Sequence, residues 1–174
     1  MPSQRPVVAP AEGKLGVLTV GLGAVASTLI AGVELTKRGL GLPIGSLAQM
    51  DTIRLGKRTD GRNPLIKNFV PLARLEDIEW GAWDPFPDDA YVAAQRAGVL
   101  EGPKHIEGIA ETLRDIRPMK AAFDRQYVKK IDAENTLGTI NKRQMLQAIR
   151  EDINRFRDEK KVDRLVMILS LIHI

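Results

Sequence analysis

The hexapeptide at residues 21–26 constrains the fold of this chain more than any other segment, because it has the form G-x-G-x-x-A. It follows a non-alternating apolar run and precedes a segment with helical periodicity. In that setting Gly21 permits a tight turn, Gly23 lets the backbone approach a pyrophosphate, and Ala26 allows the helix to pack closely on the strand. The pattern predicts a βα unit that binds a dinucleotide, with Ser27 adding a hydroxyl near the helix N-terminus. The alternative is a glycine-rich turn that binds nothing.

The periodicity on either side of this turn predicts a strand and a helix. Residues 14–20 predict a strand buried on both faces, since their apolar side chains do not alternate with polar ones. Residues 24–38 predict a helix in which Val25, Leu29 and Val33 share one apolar face, with Ala26 and Ile30 beside it. Residues 1–13 are rich in proline and predict a flexible leader.

Strands and helices alternate along the rest of the chain, apart from an irregular stretch at residues 40–68. The predicted elements are a strand at 78–83 that ends at Asp84, a helix at 89–97 capped by Asp88, a helix at 104–116, a strand at 119–123, an amphipathic helix at 141–160 and a buried strand at 164–169. This alternation, without hairpin signals, predicts an α/β fold: a Rossmann-like, mainly parallel sheet with helices on both faces.

The absence of charge from Leu15 to Val33 allows a second interpretation of the N-terminal region. The run approaches the ~20 apolar residues of a spanning helix, and Ala24-Val25-Ala26 resembles a signal-peptidase site. Its four glycines and the β-branched residues crowded into its first half favour a strand followed by a helix instead.

Composition excludes several classes of function. The chain is 44% apolar and 28% charged, which is ordinary for a globular protein. It has no cysteine and two histidines, so thiolate chemistry and histidine-rich metal sites are excluded. Aromatic residues make up 5% and the net charge is +4, so neither base stacking nor charge favours a nucleic-acid partner.

An acidic residue that binds the adenosine ribose is expected ~20 residues beyond the glycines. No strand and no acid occur there, and the candidates further on are Asp51 and Asp84. Asp84 is preferred because it follows an apolar strand and so lies at the carboxyl edge of the sheet, where open α/β folds bind ligands. The alternative is a turn aspartate before Pro85.

A basic segment lies inside the irregular stretch. Its five basic residues are Arg54, Lys57, Arg58, Arg62 and Lys67. Such a run either binds a phosphorylated substrate or nucleic acid, or is a solvated surface or a subunit contact, as such runs more often are.

Several segments together resemble the inositol-3-phosphate synthases, particularly the bacterial type. They occur in family order across residues 15–168: GLGAVAST at 21–28, PIGSL at 43–47, TIRLGKR at 52–58, WGAWD at 80–84, PM at 118–119 with FD at 123–124, and DRLVM at 163–167. The basic segment and the tryptophan–aspartate motif are the most distinctive of these.

The resemblance implies the NAD-binding part of an enzyme that isomerises glucose 6-phosphate to 1D-myo-inositol 3-phosphate. C5 of the sugar is oxidised by hydride transfer to bound NAD, the acidified C6 closes the ring on C1, and the hydride returns. By position, Gly23, Ala24, Val25 and Ala26 are expected to contact NAD and Asp84 its adenosine ribose. Gly21 and Ser27 complete the expected cofactor-binding set.

The resemblance also sets expectations for the whole protein. The full-length enzyme is expected to be a cytoplasmic homotetramer that uses glucose 6-phosphate, with no nucleic-acid or membrane partner. The family's sugar-handling residues follow a strand like residues 164–168, whereas this chain continues as LSLIHI, so we assign no catalytic residue and no metal. We expect a non-family tail at 169–174, an inactive fragment and self-association.

Ala82 departs from the family, which usually has a glycine there, and this methyl is expected to crowd the ligand. Other classes remain open at this stage. They are the cofactor domain of another NAD(P) dehydrogenase, of the homoserine dehydrogenase kind, a non-catalytic nucleotide-binding module, and a nucleic-acid binder built on the basic segment.

Overall fold

A four-stranded parallel sheet forms the centre of the structure, a computed structural model that describes residues 12–124, 126 and 130–169. The strands are β1 (Leu15–Val20), β2 (Ile78–Asp84), β3 (Met119–Lys120) and β4 (Arg164–Leu169), in the order β3-β2-β1-β4. All three pairings are parallel, which confirms the predicted fold class. Most of the predicted leader and tail lies outside the described residues.

Helices cover both faces of this sheet. The helices that pack on it are α1 (Ala24–Lys37), α4 (Ala90–Ala97), α5 (Ala110–Asp115) and α6 (Lys142–Lys160). Two short helices, α2 (Leu47–Met50) and α3 (Ile66–Phe69), lie in the irregular stretch between α1 and β2 and have no buried residues. The helix predicted at 104–116 begins instead as a π-helical turn, Gly102–Ile106, and a 3-10 turn, Glu107–Ile109. Gly108 disfavours a regular α-helix in this stretch, because glycine has a low helix propensity.

The two faces of the sheet carry separate apolar cores, because side chains of a strand alternate between faces. Val17 and Trp80 pack under α1, α4 and the helical turns before α5. Leu18 and Trp83 pack on the other face against Phe156 of α6. Ile149 and Ile153 of α6 pack against the same cluster, so the apolar side of this amphipathic helix faces the sheet, as predicted.

Each tryptophan of β2 also holds a buried carboxylate of the helix above it. The indole N–H of Trp80 donates to Glu34 of α1 at 2.8 Å, and that of Trp83 donates to Asp152 of α6 at 2.9 Å. Glu34 is further paired with Lys37 at 2.7 Å. These bonds anchor one helix to each face of the sheet.

The prediction that Val25 and Leu29 lie on the buried face of α1 is wrong, whereas Val33 packs against the core. Val25 and Leu29 are 47% and 39% exposed, whereas Ala26 and Ile30 are buried. The helix turns the side that carries Ala26 and Ile30 towards the sheet, and it can bury Glu34 there because Trp80 and Lys37 donate hydrogen bonds to that carboxylate.

Three further predictions need correction. Strand β4 is at an edge and not buried, since Val166 and Met167 are each about half exposed. Strand β3 is shorter than predicted, and beyond it Ala121 forms only an isolated bridge. Asp89, one residue after the predicted cap Asp88, caps α4 by accepting from the N–H of Val92.

The charge-free run at residues 15–33 is a strand, a turn and part of a helix, as its glycines indicate. Within the residues that the structure describes, no helix combines the length and apolarity needed to span a bilayer.

Candidate functional site

The glycine turn closes directly against the end of β2. The N–H of Gly21 donates to the carbonyl oxygen of Trp83 at 2.8 Å. Gly21 has a φ of +97°, which lies in the region that favours glycine. At Gly23 a Cβ would meet no protein atom within 4 Å, so the space beside this residue is open. The backbone of Gly23 therefore borders open space that no protein side chain fills.

The first turn of α1 presents backbone donors to that space. The first helical bond runs from the N–H of Ser27 to the carbonyl of Gly23 at 2.9 Å. The N–H groups of Ala24, Val25 and Ala26 precede it and lack helical partners. Gly23 provides no side-chain cap, and the first turn holds no acidic residue. This end of the helix is therefore suited to an anion.

Asp84 joins the end of β2 to the glycine turn. Its Oδ2 accepts from the N–H of Leu22 at 2.6 Å, and its Oδ1 accepts from the N–H of Phe86 at 2.9 Å. The second contact is the turn bond that the alternative interpretation requires. Each carboxylate oxygen keeps a further lone pair, so the residue can also accept from a ribose hydroxyl.

These groups border one cleft of about 470 Å³ at the carboxyl ends of β1 and β2. Its lining residues are Gly21, Leu22, Gly23, Ala24, Asp84, Pro85, Phe86, Asp88, Ala93, Arg96 and Ala97. Four of the seven predicted cofactor-binding residues are among them.

The other three predicted residues lie outside this lining. Val25 is half exposed on the outer side of α1. Ala26 and Ser27 are buried, and the hydroxyl of Ser27 donates to the carbonyl of Ala24 at 3.3 Å. What Val25 and Ala26 contribute at the helix N-terminus is a backbone N–H without a helical partner.

Seven of the eleven lining residues were not predicted as cofactor ligands, and among these Arg96 contacts both Phe86 and Asp88. Arg96 of α4 pairs with Asp88, and its guanidinium carbon lies 6.0 Å from the centroid of the Phe86 ring. The sequence signal for these residues is indirect: the loop after β2 and the last turn of α4 both line the cleft at the carboxyl edge of the sheet. Asp88 was interpreted as a helix cap, and Arg96 is the basic residue of that last turn.

The basic segment forms a separate exposed hairpin. Backbone bonds run from the N–H of Ile53 to the carbonyl of Pro64 and from the N–H of Leu55 to the carbonyl of Arg62, both at 2.9 Å. None of the five basic residues lines the cleft.

The expectation that Ala82 crowds the ligand is wrong. The residue is fully buried in the core under α1 and α4, on the same face of β2 as Trp80. Its methyl group therefore fills the core and stays away from the cleft.

A parallel sheet in this order, with a positive-φ glycine in the first βα turn and a cleft at the carboxyl edge, defines a dinucleotide-binding domain of the Rossmann type. The NAD-binding model of the myo-inositol-1-phosphate synthase family matches residues 15–170. This chain belongs to that family.

Individual relatives agree with this membership. The chain is 40% identical to inositol-3-phosphate synthase 1 of Bacteroides thetaiotaomicron over 162 residues, which cover 92% of this chain and 37% of that protein. It is 30% identical to inositol-3-phosphate synthase of Dictyostelium discoideum, with 90% and 34% covered. The crystal structure of the Caenorhabditis elegans enzyme shares the fold, with a TM-score of 0.79 at 24% identity over 91% of this chain. The chain spans about a third of the length of these relatives.

Proposed function

We propose that the cleft beside Gly23 binds NAD, and that this chain is the cofactor-binding part of an inositol-3-phosphate synthase. The observation that carries the proposal is the open backbone at Gly23, next to the helix donors of Ala24, Val25 and Ala26. A side chain at Gly23 would occupy the space into which these donors point. Such a cradle suits a pyrophosphate.

The residues of the cleft also fit the adenosine end of NAD. Asp84 is held by two backbone N–H groups, so its carboxylate is preorganised and does not have to be ordered when a ribose binds. Its distance along the chain from the glycines is explained by the sheet order, which places β2 beside β1. Asp84 thereby takes the place of the acid that is missing after α1.

The proposed full reaction is the isomerisation of glucose 6-phosphate to inositol 3-phosphate. Bound NAD supplies reversible hydride acceptance, which allows an oxidation and a reduction without net redox change. The residues of this chain bind and orient the cofactor, and their backbone donors hold the pyrophosphate throughout the cycle. We further propose that the full-length enzyme is a cytoplasmic homotetramer, as the resemblance implies.

Calorimetric titration of the chain with NAD tests the cofactor proposal. We expect saturable binding with one NAD per chain, weakened by AMP, because AMP carries the ribose and a phosphate that compete for Asp84 and the helix donors. A titration without binding heat, in a sample whose circular dichroism shows a folded α/β domain, would contradict the proposal.

A further inference from the structure

The cleft contains an acidic residue, the type that favours NAD, and an arginine, the type that favours NADP. An acidic residue at the end of a Rossmann strand binds the ribose 2′-hydroxyl of NAD, whereas a nearby arginine accommodates the 2′-phosphate of NADP. Asp84 is the first type, and Arg96 lines the same cleft. The carboxylate of Asp84 alone therefore does not account for a choice of NAD, since a cation able to offset its charge lines the same cleft.

The contacts of Arg96 show how this cation is engaged. Its guanidinium is paired with the Asp88 carboxylate and rests over the ring of Phe86. The N–H of Phe86 in turn donates to Asp84 at 2.9 Å, so Phe86 contacts Asp84 through its backbone and Arg96 through its ring. The side chain of Asp88 is 24% exposed and that of Arg96 63%, so Asp88 is the more buried and fixed member of the pair.

Resting on the proposed function, we propose that Asp88 is a specificity-determining residue that favours NAD by sequestering Arg96. When Asp88 and Arg96 are paired, their charges cancel and the carboxylate of Asp84 leaves the cleft with a net negative charge. A 2′-phosphate is repelled by that charge. Without Asp88, Arg96 is free to turn towards the 2′ position while Phe86 still supports its planar face. A bidentate guanidinium–phosphate contact then becomes possible.

Dinucleotide titrations of Asp88→Asn test this inference. The substitution keeps the size of the side chain and removes only the charge that holds Arg96. We expect NAD affinity to change less than twofold and NADP affinity to rise about tenfold, the gain that one charge-assisted contact provides. In the double variant D88N/R96A the gain for NADP should disappear, because the cation that provides it is gone.

The matched control is Asp115→Asn, which removes an exposed carboxylate at the end of α5 that does not line the cleft. We expect this variant to keep the NAD and NADP affinities of the unchanged chain. Unaltered NADP affinity in D88N, or a gain that survives in D88N/R96A, would overturn the role of Asp88 while leaving NAD binding itself intact. Failure of the unchanged chain to bind either dinucleotide would instead refute the proposed function, and this inference with it.

Discussion

The carboxylate of Asp84 accepts a hydrogen bond of 2.6 Å from the backbone N–H of Leu22. The two residues are 62 positions apart, and this contact connects the end of β2 to the turn between β1 and α1. One aspartate therefore shapes the glycine turn and faces the cleft that the turn borders. The same side chain therefore combines a structural role in the turn with the cofactor-binding role that we propose for it.

Substitution of Gly23 by valine should abolish NAD binding and leave the fold intact. A Cβ at this position meets open space, and φ −78° with ψ −162° is an extended conformation that valine adopts readily. Calorimetry with NAD and a thermal unfolding curve measure the two effects. Gly32→Ala, in the same helix and also facing open space, is the control and should retain binding. Undiminished NAD affinity in Gly23→Val would refute the pyrophosphate assignment.

Substitution of Asp84 by alanine should reduce both stability and NAD affinity. Loss of the carboxylate leaves the N–H of Leu22 without its partner, which costs about 1–3 kcal/mol of unfolding free energy. Loss of the ribose contact costs NAD binding about 1.5–3 kcal/mol. Urea unfolding and calorimetry separate the two. If stability falls and affinity does not, Asp84 is a turn residue only.

Substitutions of Glu34 and of Trp80, which bond each other between α1 and β2, should lower the free energy of unfolding by different amounts. Glu34→Gln keeps an acceptor for the indole of Trp80 but leaves Lys37 without its buried counter-charge, at a cost of about 3 kcal/mol. Trp80→Phe removes one hydrogen bond and preserves the ion pair, at a cost of about 1–2 kcal/mol. Chemical denaturation of both variants checks the order. A larger loss in Trp80→Phe would show that packing of the indole outweighs the ion pair.

A lysine at Val166 should reduce self-association of the chain. Val166 is 47% exposed on the edge strand β4, whose unpaired backbone groups can pair with another chain. Analytical ultracentrifugation over a range of protein concentrations measures the effect. Leu146→Lys, at a 58% exposed position of α6 away from any strand edge, is the control and should associate as the unchanged chain does. Equal effects of the two lysines would implicate general surface charge.

The hydroxyl of Tyr91 should titrate at a higher pH than a free tyrosine. Its hydrogen bond to Glu107, at 2.9 Å, is the main cause that raises the pKa of Tyr91 above 10.0. Because the folded state holds this proton more tightly, the stabilisation is complete below the unfolded pKa and is lost as pH rises through the folded pKa. Ultraviolet absorbance of tyrosinate follows the titration. Glu107→Gln should lower the pKa of Tyr91, and an unchanged titration curve would exclude the Glu107 contact as its cause.

Local patterns predicted the parts of the fold that depend on neighbouring residues. The strand before Gly21, the helix after Gly23 and the amphipathic helix α6 were predicted because apolar periodicity and end signals are properties of short segments. The position of Asp84 also followed, since a residue at the end of a parallel strand must lie at the carboxyl edge of the sheet.

Patterns in the sequence could not predict contacts between segments. The choice of Ala26 over Val25 as the buried side of α1 depends on the shape of the strand beneath it. The pairing of Trp83 with Asp152, 69 residues apart, depends on α6 lying across the sheet. Burial of a carboxylate is unfavourable until such a partner is in place, and no local pattern records the partner.

The sequence by itself determined the family, the parallel α/β fold and the glycine turn, because each depends on residue types at short, regular spacings. The tertiary structure alone decided which groups meet at the cleft. In the folded chain Asp88 and Phe86 contact Arg96, the side chain of Ser27 is buried, and β4 lies at an edge of the sheet. These outcomes depend on distances and burial across separate elements, which exist only after the sheet and helices have packed together.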